Sequence, residues 1–290
     1  MIPVVLLCRN NPRQLRACVE SLGATTRLSY TLHIVDNGST DAEHLALLAK
    51  FEASEVAHVW RETGNRWILG LNRCLLALEA TSPKYYVVSD ADVVFPDLEG
   101  ACWLERLVVA MDAYPFIGKL GASLSWGNLV GKEHMSSVLE RERLYKSIDL
   151  TPDIYLALVD TTVAIYRRDM FVWERFCFYP GHGSAMKPYY YAGRHKDVEV
   201  YHLGWDEQDY SENASGKNIY AEEKVKCFAK YGGFADPVTL RTVSRATATY
   251  YRIVAPIARA FWGTKLLLHW MVFIGRSRIV RLNALMGRVR

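Results

Sequence analysis

A hydrophobic run in this 290-residue chain leads directly to two aspartates that stand one residue apart. Residues 85–89 are Tyr-Tyr-Val-Val-Ser, a composition typical of a buried strand, and Asp90 and Asp92 follow. Carboxylate oxygens are ligands that Mg²⁺ and Mn²⁺ prefer, and these ions take further ligands from substrate phosphates. The pattern therefore predicts a divalent metal that neutralises charge on a departing diphosphate. The alternative interpretation is a pair of aspartates that only cap a loop.

A second polar segment, residues 34–41, has the sequence I-V-D-N-G-S-T-D. Its glycine permits a tight turn after a strand, and Asp36 could accept a hydrogen bond from a nucleobase imide. The alternative is a plain junction in which Ser39 or Thr40 caps the next helix. A third segment, residues 64–72, is rich in glycine and asparagine and leads into a helix, where backbone amides can face phosphate or ribose. It matches neither a G-x-G-x-x-G motif nor a P-loop, which disfavours kinases and dinucleotide-binding enzymes.

Strand and helix patterns alternate through the first 125 residues. The predicted strands are residues 3–7, 30–35, 56–60, 84–89 and 117–124. The predicted helices are residues 12–23, ended by Gly23, and residues 42–51, 71–80 and 101–114. This order predicts an α/β fold with a mostly parallel central sheet and helices on both faces. Ligands of such sheets bind beyond the carboxyl ends of the strands, where Asp36 and Asp90 both stand.

Together with the polar turn at residues 7–11, these segments resemble the GT-A fold of glycosyltransferases, in particular family two of the bacterial cell-surface polysaccharide type. The resemblance covers residues 1–125. It departs from the family in the length of residues 64–70 and in Leu71, which stands where an arginine is common. The resemblance implies a hexosyltransferase-like enzyme that uses a nucleotide-diphosphate sugar donor.

The resemblance also implies roles for particular residues. Asp36 would contact the base, Arg9 and Asn10 would line the nucleoside pocket, Asp90 would lie near the ribose or the metal, and Asp92 would bind the metal. The predicted nucleotide-sugar-binding residues are Arg9, Asn10, Asp36, Asn65, Asn72, Asp90 and Arg194. The predicted ligands of Mn²⁺ or Mg²⁺ are Asp90, Asp92 and His202, with His195 and His182 as alternatives to His202.

Inverting transfer needs a general base for the acceptor hydroxyl, and the E-D pair that often supplies it in the family is absent. The candidates are Asp160, Asp206, Glu207 and Asp209. Asp160 is favoured because it precedes a predicted strand at residues 161–166, although it could simply cap the following turn. A retaining mechanism stays open. Trp205 and Tyr191 are predicted to stack on the acceptor sugar, with core packing as the alternative.

The end of the chain differs in charge from the rest. Ten of the 35 basic residues follow Asp236 and no acidic residue does, which leaves 25 basic against 31 acidic residues before it. Residues 246–290 mix those bases with large apolar side chains, which favours binding to an anionic membrane surface. Arg259, Lys265 and His269 interrupt every apolar window, so a spanning helix is not expected. Packing on the catalytic domain or in a homodimer is the alternative, and the acidic body argues against nucleic acid.

These patterns predict a catalytic domain over residues 1–240, with a nucleotide-binding half (1–125) and an acceptor-binding half (126–240), followed by a basic amphipathic helical tail (241–290). Residues 140–143 are expected to form a solvated helix face, and residues 181–216 an irregular segment. Scattered cysteines favour a reducing compartment, and the amino terminus has no signal-peptide pattern.

The predicted function is metal-dependent inverting transfer to a glycan or lipid-linked glycan, in lipopolysaccharide or capsule synthesis, at the cytoplasmic side of the inner membrane. The rivals are a sugar-nucleotide nucleotidyltransferase, which normally has a glycine-rich basic loop that residues 8–11 lack, and a non-catalytic, membrane-bound glycan-binding protein.

Overall fold

The computed structural model describes residues 1–130, 136–206, 214–235 and 237–287. The chain forms two compact units. The first comprises Met1–Met170 and Pro188–Tyr210, and the second comprises Phe171–Lys187 and Ser211–Arg290. The predicted domain boundary at residue 240 is not one of these divisions and stays a prediction.

Four parallel strands begin the first unit, as the alternation of strand and helix patterns predicted. The strands are β1 (Ile2–Cys8), β2 (Tyr30–Asp36), β3 (His58–Arg61) and β4 (Tyr85–Asp90). The helices between them are α1 (Pro12–Thr25), α2 (Ala42–Ala53) and α3 (Asn72–Leu78), with 3₁₀ turns at Trp67–Leu71 and Glu79–Thr81. The spatial order is β3-β2-β1-β4, so β2 and β4 end at the same edge of the sheet.

Gly23 does not end α1 as predicted. The helix continues to Thr25, whose side chain is buried and donates a hydrogen bond to the carbonyl of Ser21. This last turn packs against the core, and that packing outweighs the cost of about 1 kcal/mol for a glycine inside a helix.

The remaining strands of the first unit make the sheet mixed. They are β5 (Val93–Val94), β6 (Ile117–Leu124), β7 (Asp149–Thr151), β8 (Ile154–Leu156), β9 (Ala164–Arg167) and β10 (Tyr191–His202), with helices α4 (Trp103–Ala113) and α5 (Ser136–Lys146) and a 3₁₀ turn at Leu203–Trp205. Strand β9 lies antiparallel between β4 and β6, and β10 runs parallel to β6. The α/β class is confirmed, with the parallel arrangement concentrated in β1 to β4.

Strand β10 corrects the prediction of an irregular segment over residues 181–216. It is 12 residues long and pairs with both β6 and β8, with an irregularity between His195 and Glu199. Arg194 and His195 occupy buried positions of this strand. Because polar residues fill positions that are usually apolar, the sequence lacks the alternation that predicts a strand.

Glu142 corrects the prediction of a solvated helix face at residues 140–143. Its side chain is buried in α5, and its Oε2 lies 3.5 Å from Nε of Arg194. Arg194 is only 2% exposed and also donates from Nη1 to the carbonyl of Ala122 at 2.6 Å. The two charges therefore form a buried pair between α5 and β10.

The second unit is mainly helical. Its helices are α6 (Ala214–Tyr231), α7 (Pro237–Thr242) and α8 (Arg245–Gly287), and a 3₁₀ turn spans His182–Ala185. Val225 and Ala229 of α6 pack against Tyr251 and Ala255 of α8. Helix α8 has 43 residues and contains Pro256 in its interior. Residues 245–287 are thus helical, as predicted for the tail. Among the helices described, none has an apolar stretch long enough to cross a bilayer.

Breaking the buried pair should destabilise the first unit. We expect Glu142→Ala to lower the free energy of unfolding by about 3 kcal/mol, because the Arg194 guanidinium would stay buried without its counter-charge. Glu140→Ala, a matched change at an exposed position of α5, should stay within about 0.5 kcal/mol. Urea unfolding measures both. Equal losses for the two variants would contradict a buried pair, and the double variant Glu142→Met/Arg194→Met should recover most of the loss.

Candidate active site

The carboxyl end of β4 places Asp90 between two other chain segments. The Asp90 amide donates to the carbonyl of Thr161 at 3.2 Å, and the Ala91 amide donates to the carbonyl of Leu7 at 3.1 Å. The Thr161 hydroxyl donates to Oδ2 of Asp90 at 2.9 Å. Main-chain bonds on both sides thus fix the turn that carries the two aspartates.

Asp92 lies beside His202 because β5 pairs with the end of β10. Val93 is opposite His202 in this pairing, and the Leu203 amide donates to the Asp92 carbonyl at 2.7 Å. Nε2 of His202 is 3.8 Å from Oδ1 of Asp92. A Cβ on Gly204 would overlap Oδ2 of Asp92 and would come within 2.9 Å of the His202 ring, so this close approach requires a glycine.

Asp160 is exposed and precedes β9, next to the Thr161 that binds Asp90. Its Oδ1 accepts a hydrogen bond from the Thr161 amide at 2.9 Å. The capping role considered from the sequence is therefore observed. The same carboxylate is also close enough to raise the pKa of Asp90, so it belongs to the acidic cluster.

The electrostatics of the cluster reflect partial burial and like charge. Burial, Asp92 and Asp160 raise the pKa of Asp90 to about 7. Burial lowers the pKa of His202, which favours the neutral imidazole that binds metals. Burial also lowers the pKa of Lys119 to about 7, against the effect of Asp160. Lys119 was not predicted from the sequence, because it lies inside a strand that otherwise appears apolar.

The residues at this edge fit a divalent cation. Asp90 and Asp92 offer carboxylate oxygens, and His202 offers a nitrogen that is neutral at physiological pH. A cation would offset both the burial and the repulsion that raise the pKa of Asp90. A mixed oxygen and nitrogen ligand set is compatible with Mn²⁺, and carboxylates alone with Mg²⁺.

A second group of potential ligands lies at the end of β2. Cys8, Asp36 and His44 each bring one ligand atom within 4.8 Å of the others, and all three side chains are buried. Burial and Asp36 raise the pKa of the Cys8 thiol, which keeps it protonated. A protonated thiol is a poor metal ligand, so the edge near Asp92 is the better candidate.

The turn after β2 is closed by Asp36 itself. Its Oδ1 accepts from the Ser39 amide at 3.0 Å and from the Ser39 hydroxyl at 2.5 Å. Asp36 is only 2% exposed. The cap of α2 is Asp41, which accepts from the His44 amide at 2.7 Å, and not Ser39 or Thr40 as considered from the sequence.

Arg9 and Asn10 lie next to this turn, and both bind its backbone; their place in a nucleoside pocket stays a prediction. Nη1 of Arg9 donates to the carbonyls of Asn37 and Gly38 at 3.0 and 2.9 Å. Oδ1 of Asn10 accepts from the amides of Thr40 and Asp41, at 2.8 and 3.0 Å. These contacts show that both side chains hold the turn in place.

Asn37 joins the second and third polar segments, a role that the sequence analysis missed. Its Nδ2 donates to Oδ1 of Asn65 and to the Trp67 carbonyl, both at 3.1 Å, and its Oδ1 accepts from the Arg66 amide at 2.9 Å. A Cβ on Gly70 would lie 2.6 Å from Oδ1 of Asn37. The repeated glycine and asparagine residues were the signal for this contact. Asn72, also predicted to bind the nucleotide, begins α3.

The later predicted residues fall into two groups. Asp206 and Trp205 lie near His202. Oδ1 of Asp206 accepts from the Tyr201 hydroxyl and from Nδ2 of Asn128, at 2.8 and 3.0 Å. The Trp205 ring stacks on His202 with centroids 4.7 Å apart and is 8% exposed, so it supports His202 and its predicted stacking on a sugar is corrected. Glu207 and Asp209 lie outside the described residues.

Tyr191 and Arg194 do not lie at the predicted positions. Tyr191 is opposite Ile117 at the start of β6, whereas Val200 is opposite Leu124 at its end. Seven residues of strand separate these rows by about 23 Å, so Tyr191 is at the other edge of the sheet. Arg194 is buried against Glu142 and Ala122, and these contacts do not present it to a diphosphate. Of the alternatives to His202, His195 is buried within β10, and His182 belongs to the second unit.

The raised pKa of Asp90 predicts how the free energy of unfolding depends on pH. Because its pKa is about 7 in the folded protein and near 3.8 when unfolded, the native state holds the extra proton between these values. The free energy of unfolding should therefore fall as pH rises through this window. In metal-free protein with EDTA, we expect Asp90→Asn to raise Tm by roughly 2–4 °C at pH 8, the shift for about 1 kcal/mol, and to have little effect at pH 5.

Asp112→Asn is the matched control for that experiment. Hydrogen bonds from Lys84 and Tyr85 lower the pKa of Asp112, so its neutralisation should not stabilise the protein at pH 8. A Tm of Asp90→Asn that equals the wild-type value at pH 8 would contradict an unfavourable ionised form of Asp90 in the folded protein.

Over 126 residues, the chain is 31% identical to the uncharacterized protein y4gI of Sinorhizobium fredii (strain NBRC 101917 / NGR234), which covers 43% of this chain. The chain spans only 13% of the length of that relative.

The chain is similar to solved structures of glycosyltransferases. The mannosyltransferase PcManGT from Pyrobaculum calidifontis, in complex with GDP-Man and Mn²⁺, matches 99% of this chain and 80% of its own chain with a TM-score of 0.52 at 15% identity. GalNAc-T7 with UDP, GalNAc and Mn²⁺ matches 79% of this chain and 50% of its own, with a TM-score of 0.48 at 13% identity. The first of these matches confirms the predicted GT-A fold.

The family itself is identified from the sequence match to a family model. Residues 4–173, more than half of the chain, match the model described as glycosyl transferase family 2. This stretch includes most of β1, the turn after β2, Asp90, Asp92 and Asp160. The chain therefore belongs to glycosyl transferase family 2.

Proposed function

We propose that this glycosyltransferase is metal-dependent and inverting, and that it moves a sugar from a nucleotide-diphosphate donor to a glycan or lipid-linked glycan. The observation that carries the proposal is the convergence of Asp90, Asp92, Asp160 and His202 at one edge of the sheet. The Mn²⁺ and nucleotide sugar present with PcManGT support it by analogy of fold.

Asp90, Asp92 and His202 would hold the metal, which is Mn²⁺ or Mg²⁺. When bound, the ion supplies positive charge against the diphosphate of the donor. Gly204 keeps the space between Asp92 and His202 free of a side chain, and Trp205 holds the imidazole plane by stacking. The protein thus presents these ligands in fixed orientations, which limits the reorganisation needed during the reaction.

Asp160 is the proposed general base. Its carboxylate accepts the proton of the acceptor hydroxyl while that oxygen forms a bond to the anomeric carbon, and the bond from this carbon to the diphosphate oxygen breaks. Attack from the side opposite the leaving group inverts the configuration. Asp160 is exposed to an acceptor and lies within electrostatic reach of Asp90. Oδ1 of Asp206 already accepts two hydrogen bonds, which makes Asp206 the second choice.

The nucleotide would lie along the two joined loops after β2 and before α3. Asp36 is the proposed contact of the base, and its bonds to Ser39 fix the turn. The residues that would border the nucleoside are Arg9, Asn10, Asn65 and Asn72. The first three hold the loops through hydrogen bonds, and Asn72 begins α3. Because Asn37 ties the loops together, nucleotide binding and loop order should be coupled.

The acceptor is proposed to belong to a membrane-associated pathway such as lipopolysaccharide or capsule synthesis, with the enzyme on the cytoplasmic side of the inner membrane. Helix α8 supports this proposal, because it carries an exposed apolar face and no acidic residue. The large exposed residues of the face are Tyr250, Ile253, Ile257, Phe261, Leu267, Leu268, Met271, Val272 and Ile274. A basic helix with such a face suits an anionic bilayer surface, and nucleic acid is not a proposed partner.

Asp92→Ala should abolish metal-dependent donor binding. Isothermal titration with GDP and with UDP, each with and without Mn²⁺, should find one nucleotide whose affinity for the wild type rises at least tenfold with Mn²⁺. Asp92→Ala should lose that increase because one carboxylate ligand is gone. Asp97→Ala, at an exposed position five residues along the chain, should keep it. Equal nucleotide binding with and without Mn²⁺ in the wild type would refute the metal-dependent mechanism.

Helix α8 should bind anionic vesicles. We expect the protein to sediment with vesicles that contain phosphatidylglycerol and not with pure phosphatidylcholine vesicles, and we expect Ile257→Asp/Phe261→Asp to abolish sedimentation. Val109→Asp, at an exposed apolar position of α4, is the control that adds charge without touching α8. If the wild type does not sediment and light scattering finds a dimer that the double variant disrupts, the face is a subunit interface and the membrane proposal is wrong.

A further inference from the structure

Lys119 is a charged residue in the interior of the sheet. It lies on β6 between β9 and β10 and is only 4% exposed. Removal of an ammonium group from water costs several kcal/mol unless partners compensate, so a buried lysine requires partners of its own. The groups that contact Lys119 connect it to the carboxylate cluster at the end of β4.

The ammonium group holds the segment that carries Asp160. Nζ of Lys119 donates to the carbonyl of Val159 at 2.5 Å and lies 4.7 Å from the centroid of the Tyr166 ring. The Val159 side chain packs over Gly121, which lies on β6 like Lys119. A Cβ at Gly121 would lie 2.6 Å from Cγ1 of Val159. Both the main chain and the side chain of Val159 are therefore anchored to β6.

The other side of Asp160 is anchored to β4. Thr161 accepts from the Asp90 amide through its carbonyl and donates to Oδ2 of Asp90 through its hydroxyl. Asp160 thus stands between one residue that Lys119 holds and one that Asp90 holds. The loss of either anchor would free the backbone on one side of the carboxylate.

We propose that Lys119 is a positioning residue for Asp160, and that its ammonium group fixes the Val159 carbonyl so that the Asp160 carboxylate stays beside Asp90 and faces the acceptor. This inference rests on the proposed role of Asp160 as the general base. Lys119 would act through Val159 and not by contact with the donor or the acceptor.

The charges around Lys119 agree with this arrangement. Asp160 and Asp90 favour its charged form, whereas burial and Arg194 on β10 favour the neutral form. The Tyr166 ring on β9 completes its surroundings with a cation–π contact.

The test compares Lys119→Met, which removes the donor and the charge, with Lys119→Gln, which keeps a donor for the Val159 carbonyl. The assay is Mn²⁺-dependent hydrolysis of GDP-mannose, UDP-glucose or UDP-GalNAc, whichever the wild type cleaves, with water as acceptor. Lys119→Met should lower kcat about 100-fold, the effect of a misplacement of about 1 Å. Lys119→Gln should retain clearly more activity, and both should bind GDP or UDP within about threefold of the wild type, as a folded site must.

The Asp160→Asn variant separates this inference from the proposed function. If Asp160→Asn hydrolyses the donor as fast as the wild type, Asp160 is not the base and the proposed function fails first. If Asp160→Asn is inactive while Lys119→Met is fully active, only the inference is wrong. If both are impaired, the double variant should be no slower than Asp160→Asn alone, because the two residues act through one group.

A stability measurement and a control complete the test. A purely structural role would lower kcat and Tm in Lys119→Met and Lys119→Gln alike, with no recovery of kcat in Lys119→Gln, and that result would overturn the proposal. Lys50→Met, at an exposed position in the last turn of α2, should leave kcat and Tm unchanged.

Discussion

The repulsion among carboxylates at the end of β4 is the constraint on which the rest of the site depends. Burial of Asp90, together with the nearby charges of Asp92 and Asp160, raises the pKa of Asp90 to about 7, so charge repulsion works against the cluster. Main-chain hydrogen bonds hold its segments together. The amide of Asp90 bonds to the segment before β9, and the carbonyl of Asp92 accepts from the segment after β10. The sheet therefore stores an unfavourable charge arrangement that a cation can relieve.

The direction of β9 decides which residues join this cluster. Because β9 runs antiparallel to β4, its beginning and not its end lies at the carboxyl edge of β4. Asp160, which precedes β9, consequently meets Asp90. Strand β10 is parallel to β6, so its end returns to the same edge and brings His202 to Asp92. A sheet with β9 in the parallel direction would have placed Asp160 at the opposite edge, far from both aspartates.

The sequence was informative where apolar patterns are regular and uninformative where buried charges replace them. The patterns at β1, β4 and β6 predicted strands, and the position of Asp36 and Asp90 at one edge followed from them. Strand β10 was not predicted, because a charged residue, Arg194, occupies one of its buried positions. Without this strand, Tyr191 was assigned to the acceptor site, although it lies at the start of β10. Composition could not identify partners such as Glu142 for Arg194, which are distant in the sequence and meet only in the fold.

The glycines near the site occur for two different physical reasons, and the sequence alone could not distinguish them. Gly38 has a φ of 74°, the conformation of a turn glycine, whereas Gly70 and Gly204 are glycines because a polar side chain occupies the space of a Cβ. At Gly70 the occupant is Asn37, and at Gly204 it is Asp92. Both occupants belong to the joined loops or to the carboxylate cluster, so the close approaches coincide with the places where chain segments converge. Such glycines do not have a positive φ, and a functional polar side chain lies against each of them. They indicate close packing around a site and not a flexible backbone.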